Sequence, residues 1–250
     1  VCRKFSIPIY IVGNGSNLLV GDKGFRGAII QLYKSMGTFQ VEGNQITAQA
    51  GCSLAQIANA ALDAALTGFE FAAGIPGTLG GAVVMNAGAY GGEMKDVLTS
   101  VRVMTEEGEI MELPAEKLGL GYRTSIIQEK RYIVLGAVIS LTEGKKEEIK
   151  AQMDDFRQKR VSKQPLEYPS AGSTFKRPEG YFAGKLIQDS GLKGFTVGGA
   201  QVSEKHSGFV INKGNATAAD VMELIRQVTA KVKEDTGVTM EPEVKQIGEF

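Results

Sequence analysis

The 250-residue sequence predicts an α+β fold. Three observations point there. Short β-branched or aromatic runs, such as Ile9 to Val12 and residues 133–141, read as buried strands. Two long apolar stripes at helical spacing, each opened by a capping residue, read as helices. The two kinds of element follow one another without the strict alternation that a parallel sheet needs.

In chain order, Ile9-Tyr10-Ile11-Val12 is a strand stopped by Gly13, and Gly13-Asn14-Gly15-Ser16-Asn17 is a turn-rich loop. Leu18-Leu19-Val20 continues extended, and residues 28–32 and 46–50 are further strands. Ser53 caps a helix carrying Leu54, Ile57, Ala58, Ala61, Leu62, Ala65 and Leu66, with Gln56 completing a capping box and Gly68 just past the end. A glycine-rich stretch at 68–92 follows. Strands at 101–104 and 109–112 turn at Glu106-Glu107-Gly108, and 133–141 is another. The charged segment Thr142-Glu143-Gly144-Lys145-Lys146 reads as a linker, which places a domain boundary near residue 144 and two domains at 1–144 and 145–250. Beyond it come a helix with Ile149, Met153 and Phe156 that stops before Pro165, a helix at 183–188 closed by Gly191, and a strand at 208–212. The last helix starts at Thr217, which pairs with Asp220, presents Val221, Leu224, Ile225, Val228 and Val232 on one stripe, and ends at Gly237.

Composition excludes several functions. Lys and Arg number 28 and Asp and Glu 28, with no long run of one sign, so neither nucleic acid nor an anionic membrane is attracted by bulk charge. No apolar stretch approaches the roughly 18 residues of a membrane span, and no signal layout is present, so the expectation is a cytoplasmic protein. Cys2, Cys52 and the single His206 make neither a disulfide framework nor a metal set. Glycine is the outlier at 32 of 250 residues, about twice the usual share, and its clusters mark places where backbone approaches something closely.

Three clusters invite chemistry. The Gly13 loop resembles a dinucleotide fingerprint but has Leu18 in place of the third glycine and no helix behind it, which leaves an ordinary turn or a nest of amides for an anion. In Gly74-Ile75-Pro76-Gly77-Thr78-Leu79-Gly80-Gly81 five of eight residues are glycine or proline, without a Walker lysine. That segment either lies against a flat or anionic ligand or packs two backbones together, and Ala82 to Ala89 after it offers a small-residue surface. Ser173, in Ala171-Gly172-Ser173-Thr174-Phe175, has no nucleophile-elbow context. It is a turn-capping serine or a proton donor to a strongly basic carbanion.

Taken together, Gly13-Asn14-Gly15-Ser16-Asn17-Leu18-Leu19, residues 68–81, Met85-Asn86-Ala87-Gly88-Ala89, Tyr122-Arg123-Thr124-Ser125, Ala171-Gly172-Ser173-Thr174-Phe175 and Glu243-Val244 resemble the UDP-N-acetylenolpyruvoylglucosamine reductase family over essentially the whole chain. The resemblance implies an FAD-binding domain of the vanillyl-alcohol-oxidase type followed by an α+β substrate-binding domain. It also implies that NADPH reduces the FAD and that the enolpyruvyl ether of a UDP-amino sugar, a step in peptidoglycan precursor synthesis, is the substrate. On the same basis Arg123 is the cation near the substrate carboxylate, Glu243 assists in a protonated or hydrogen-bonded form, and Ser173 is the proton donor. Gly13, Asn14, Gly15, Ser16, Asn17, Leu18, Gly74, Ile75, Pro76, Gly77, Thr78, Gly80, Gly81, Asn86, Ala87 and Gly88 match the flavin-lining segments. Arg160, Lys163, Lys176 and Arg177 fall where the family handles the UDP phosphates. The short connection from Arg160 to Ser173 matches the subclass without a tyrosine-bearing insertion, and a monomer is expected. Family members carry several tens of residues ahead of the Gly13 loop, so the flavin domain is expected to be N-terminally incomplete. Two other readings stay open, a non-catalytic UDP-sugar-binding remnant and a flavin oxidase acting on an alcohol or sugar.

Overall fold

The computed structural model describes residues Val1–Phe250, which divide into two compact units. The first comprises Ile9–Gly15 and Ile29–Arg160, and the second Val1–Pro8, Ser16–Ala28 and Val161–Phe250.

The first unit is built on a five-stranded antiparallel sheet in the order Ile110–Pro114, Leu98–Met104, Ile133–Ser140, Gln45–Gln49, Phe39–Glu42. Alternation sorts its faces: Ile46 and Ala48, and Leu98, Val101 and Val103, are buried while the residues between them are more exposed. Two helices lie against this sheet, α1 (Leu54–Asp63) and α2 (Leu79–Met85). The Ser53 hydroxyl accepts from Gln56 N–H at 3.2 Å and Gln56 answers at Ser53 N–H, the reciprocal box that the sequence predicts. The unit also holds α3 (Ile126–Lys130) and most of α4 (Lys146–Lys163).

In the second unit, α5 (Ala183–Asp189) and α6 (Ala218–Thr236) accompany a four-stranded antiparallel sheet ordered Ser170–Ser173, Phe209–Asn212, Ala200–Val202, Thr196–Val197. Leu224, Ile225, Val228 and Val232 of α6 bury with Phe175, Ile187, Ala200 and Val202. Lys245–Ile247 pairs in parallel with Leu18–Val20, and the Asp22 carboxylate accepts from Ala218 and Ala219 N–H at 2.7 and 3.1 Å, capping α6 from far along the chain. No helix is long and apolar enough to cross a membrane.

Two expectations change, and two helices form where the sequence reading placed none. Helix α1 stops at Asp63, because Ala65 turns left-handed at φ 55° and Leu66 buries in a strand with Thr142–Glu143. The glycine-rich stretch at 68–92 carries a helix: α2 forms despite its glycines because Leu79, Ala82 and Val83 bury, and a Cβ on Gly80 would sit 3.0 Å from that of Ala50. Residues 126–130 form a helix too short for periodicity to reveal. Residues 142–143 pair with Leu66–Thr67 and Gly144 N–H bonds to the Ala65 carbonyl at 2.8 Å, which ties this segment to the first unit, so the contact boundary falls between Arg160 and Val161 and not at 144.

Two acidic residues of α6 give the fold an acid-sensitive element. Arg226 and Gln227 donate to the Glu223 carboxylate and hold its pKa down to about 2 from an ordinary 4.5. Backbone N–H groups of Thr217 and Gly199 hold Asp220 low in the same direction. A carboxylate depressed by folding stabilises fully above its unfolded pKa, and that stabilisation is lost as pH falls through the folded value. Calorimetry between pH 4.5 and 2 is expected to show a steeper fall of Tm for the wild type than for Glu223→Gln. Parallel slopes would refute it.

Candidate active site

In the first unit the chain leaves strand Ile9–Val12 at Gly13, and Asn14 Nδ2 donates to the Pro76 carbonyl at 2.9 Å, which ties the two glycine loops together. Gly13 lies so close to buried Thr78 that a Cβ would stand 2.2 Å from Thr78 Oγ1, so only glycine fits. Gly15 has φ +72° and turns the chain away. Ser16, Asn17 and Leu18 belong to the second unit: Asn17 accepts from Lys245 N–H at 3.0 Å and donates to the Glu243 carbonyl at 3.4 Å, and Leu18 pairs with Lys245. The expected flavin loop therefore changes unit after Gly15.

Arg160 Nη1 donates to the Gly74 carbonyl, and a Cβ on Gly74 would be 3.3 Å from Arg160 Cδ. Burial lowers the Arg160 pKa and the Tyr90 hydroxyl opposes that, so a half-buried guanidinium stands on the glycine loop. This differs from its expected grouping with Lys163, Lys176 and Arg177, which lie in the second unit. An FAD suits the chemistry of the first unit's loops: glycine backbone where a side chain would intrude, an amide and a cation, with no acidic side chain in Gly13–Gly15 or residues 74–81. The N–H groups of Leu79 and Gly80 bond to the Cys52 and Ala50 carbonyls at 2.9 Å, so Gly80 is accounted for by packing.

Arg123 stands in a tight turn bridged between Gly121 and Thr124, with φ +55°. For a residue with a Cβ that conformation costs about 1–2 kcal/mol, so the surroundings must impose it. They do so through residues 84–88. Buried Asn86, at the end of α2, donates to Glu93 Oε2 at 2.9 Å and to the Gly121 carbonyl at 3.1 Å, and accepts from Lys95 N–H at 2.9 Å. The Asn86 side chain is thus a structural hub that joins α2, the 93–95 segment and the Arg123 turn. Gly88, in the hairpin Gly88–Ala89 with Gly92–Glu93, accepts from Arg123 Nη2 at 3.4 Å, and its close approach to Gly92 and Glu93 leaves no room for a Cβ. Tyr90 at the hairpin tip stacks on Phe156 of α4 with ring centres 4.5 Å apart. The Arg123 guanidinium also lies 5.0 Å from the Tyr122 ring.

In the second unit the segment after Ser173 pairs antiparallel with the Glu243 segment, with Thr174 opposite Glu243. Thr174 N–H bonds to the Gly208 carbonyl, and the Thr174 carbonyl accepts from Glu243 N–H at 2.8 Å. Phe175 bridges Pro242, and Lys176 N–H reaches the Glu241 carbonyl. Thr174 and Val244 are buried, Glu243 is half-buried and Ser173 is exposed. The Ser173 hydroxyl leans on the Phe175 carbonyl at 3.5 Å, the long limit for a hydrogen bond. Of the basic residues, Lys176 pairs with Glu241 at 2.9 Å, and Arg177 stacks over Phe182 at 4.0 Å while donating to the Tyr181 carbonyl. Lys163 is exposed and helps to lower the pKa of His206, whose burial is the larger cause. The His206 Nδ1 accepts from Gly208 N–H at 3.1 Å.

Sequence reading misses Asn86 as a hub, reads Phe156 only as part of a helix stripe, and misses Tyr90 and Gln128 altogether. None of these roles carries a local signal, because each acts on residues distant in sequence or across a turn.

Comparison with known proteins covers both units. Residues 164–247 match the family model for the C-terminal domain of UDP-N-acetylenolpyruvoylglucosamine reductase, and residues 1–114 match an FAD binding domain. The chain is 59% identical over 247 residues to the UDP-N-acetylenolpyruvoylglucosamine reductase of Caldanaerobacter subterraneus, covering 99% of this chain and 82% of that protein. The enzyme of the same name from Agathobacter rectalis is 57% identical over 262 residues, covering 100% and 83%. Among solved structures, the UDP-N-acetylenolpyruvylglucosamine reductase of Thermus caldophilus superposes with a TM-score of 0.85 at 38% identity, covering 98% of this chain and 87% of that one.

Proposed function

The chain belongs to the UDP-N-acetylenolpyruvoylglucosamine reductase family, a family of FAD-dependent oxidoreductases, and on that premise we propose that it reduces the enolpyruvyl ether of UDP-N-acetylglucosamine enolpyruvate to UDP-N-acetylmuramate with NADPH. The observation that carries this is identity of 57–59% across 99–100% of the chain, spanning both the flavin loops and the segments that carry Ser173 and Glu243. Bound FAD, once reduced by NADPH, supplies the hydride that the vinyl carbon accepts.

The residues then divide the work. Gly13, Asn14, Gly15 and residues 74–78 hold the flavin, with Arg160 adding positive charge beside Gly74. Hydride addition builds negative charge on the neighbouring carbon and its carboxylate, and the Arg123 guanidinium is the group suited to lower that charge's energy. Ser173 gives its hydroxyl proton to the carbon. A hydroxyl is a weak acid, but a carbanion is a far stronger base than an alkoxide, so the transfer runs downhill once the geometry is set. Glu243, in a protonated or hydrogen-bonded form, steadies the same charge. Lys163, Lys176 and Arg177 receive the UDP phosphates of the substrate, Arg177 by a planar fork that suits phosphate oxygens. The enzyme acts as a monomer in the bacterial cytoplasm, on a small nucleotide sugar, without nucleic acid or membrane insertion.

The test is the visible absorbance spectrum of the purified chain after FAD addition and desalting, before and after anaerobic NADPH. Retained flavin that NADPH bleaches and the enolpyruvyl substrate restores is the expected result. Flavin that NADPH cannot bleach, or that the substrate cannot reoxidise, sinks the assignment.

A further inference from the structure

We propose that Gln128 is a positioning residue for Arg123: its side-chain amide clamps the Arg123 carbonyl to the end of α2, and so sets where the guanidinium points. This rests on Arg123 acting on the substrate carboxylate, as proposed above.

Gln128 Nε2 donates to the Val84 carbonyl at 2.9 Å and to the Arg123 carbonyl at 3.1 Å. One amide nitrogen carries two hydrogens, so it serves both acceptors at once. Val84 lies in the last turn of α2, where carbonyls have no helical partner, and the Ser125 hydroxyl donates to the same oxygen at 2.7 Å. The turn that carries Arg123 therefore caps the end of α2. Gln128 is itself fixed, because its neighbour Ile127 in α3 is buried in the core of the first unit. Arg123 has φ +55°, a conformation it does not prefer, and the carbonyl that Gln128 grips belongs to that same residue. Losing the grip frees the turn to relax, and the guanidinium moves with it. The other end of α2 follows Thr78, in the glycine loop. Seven helical residues, about 10 Å of rise, thus separate that loop from the clamp.

The experiment compares Gln128→Met, which keeps length and removes both donors, with Gln128→Lys, which restores a donor. Stopped-flow is expected to show that Gln128→Met slows flavin reoxidation by UDP-N-acetylglucosamine enolpyruvate tenfold or more while NADPH-driven flavin reduction stays within twofold. Gln128→Lys recovers most of the loss. In an Arg123→Ala background Gln128→Met adds nothing, since the group it positions is gone. Independently of turnover, hydrogen–deuterium exchange in the peptide spanning 119–130 is faster in Gln128→Met, and Gln128→Asn, too short to reach both carbonyls, gives the same exchange result if the Met variant does not fold. Additive effects with Arg123→Ala, equal slowing of both half-reactions, or unchanged exchange would overturn the inference. If Arg123→Ala itself leaves reoxidation intact, the role assigned to Arg123 fails instead, and Gln128 has no catalytic group to position.

Discussion

Ser173→Ala is expected to slow reoxidation of reduced flavin by the enolpyruvyl substrate by at least about 100-fold, the usual contribution of a positioned proton donor. Flavin reduction by NADPH stays near the wild-type rate, because no proton from Ser173 enters that half-reaction. The separation is informative because the backbone around Ser173 is held by other groups. Thr174 is pinned between the Gly208 carbonyl and Glu243 N–H, and its hydroxyl accepts from Val210 N–H at 2.9 Å, so removing one exposed hydroxyl at the strand end leaves the strand pairing in place. Ser173→Cys, with a more acidic donor at nearly the same position, should recover part of the rate. Both half-reactions slowing alike would mean that the substitution disturbs the fold or the flavin, and the donor role would be abandoned.

Gly13→Ala is expected to weaken FAD binding by about 10- to 100-fold while leaving the rest of the first unit folded. The added methyl would stand 2.2 Å from Thr78 Oγ1, 3.2 Å from Thr78 Cβ and 3.3 Å from Cγ2. Thr78 is buried at the start of α2 and has no open space to retreat into, so the Gly13 loop must shift, straining the Asn14 bond to Pro76. Overpacking of this kind costs about 1–3 kcal/mol, which corresponds to that range of affinity when the cost falls on the bound state. A flavin titration by fluorescence quenching reads it directly. Thr78→Ala removes Oγ1 and Cγ2, so the double variant should bind FAD better than Gly13→Ala alone, a non-additive result that a merely floppy loop would not give. Wild-type affinity in Gly13→Ala would show that this loop is not a flavin wall.

Both predictions concern residues that the sequence singles out, but their reasons come from different places. The Gly13 loop is visible as glycine after a strand; that its glycine is needed because of Thr78, 65 residues on, is visible only in the fold. Arg123 is picked out by its motif, yet its left-handed backbone and the grip of Asn86, Gly88 and Gln128 have no sequence trace. Arg160 is legible as a basic residue near the end of a helix, and its partner Gly74 is not.

Local physics determined what the sequence alone could determine. Capping boxes at Ser53 and Thr217, the apolar stripe of α6 and the β-branched run at 133–140 depend on neighbours within a few residues, and each forms as its pattern dictates. The tertiary structure decided where burial outweighs intrinsic preference. Helix α2 exists in a glycine-rich segment because the sheet covers Leu79 and Val83 and Gly80 can touch Ala50, and α1 ends early because Leu66 is better buried as a strand. It also decided the units, since Ser16–Ala28 joins Val161–Phe250 through Asp22 and the Lys245–Ile247 pairing, contacts about 200 residues apart whose partners no local window contains.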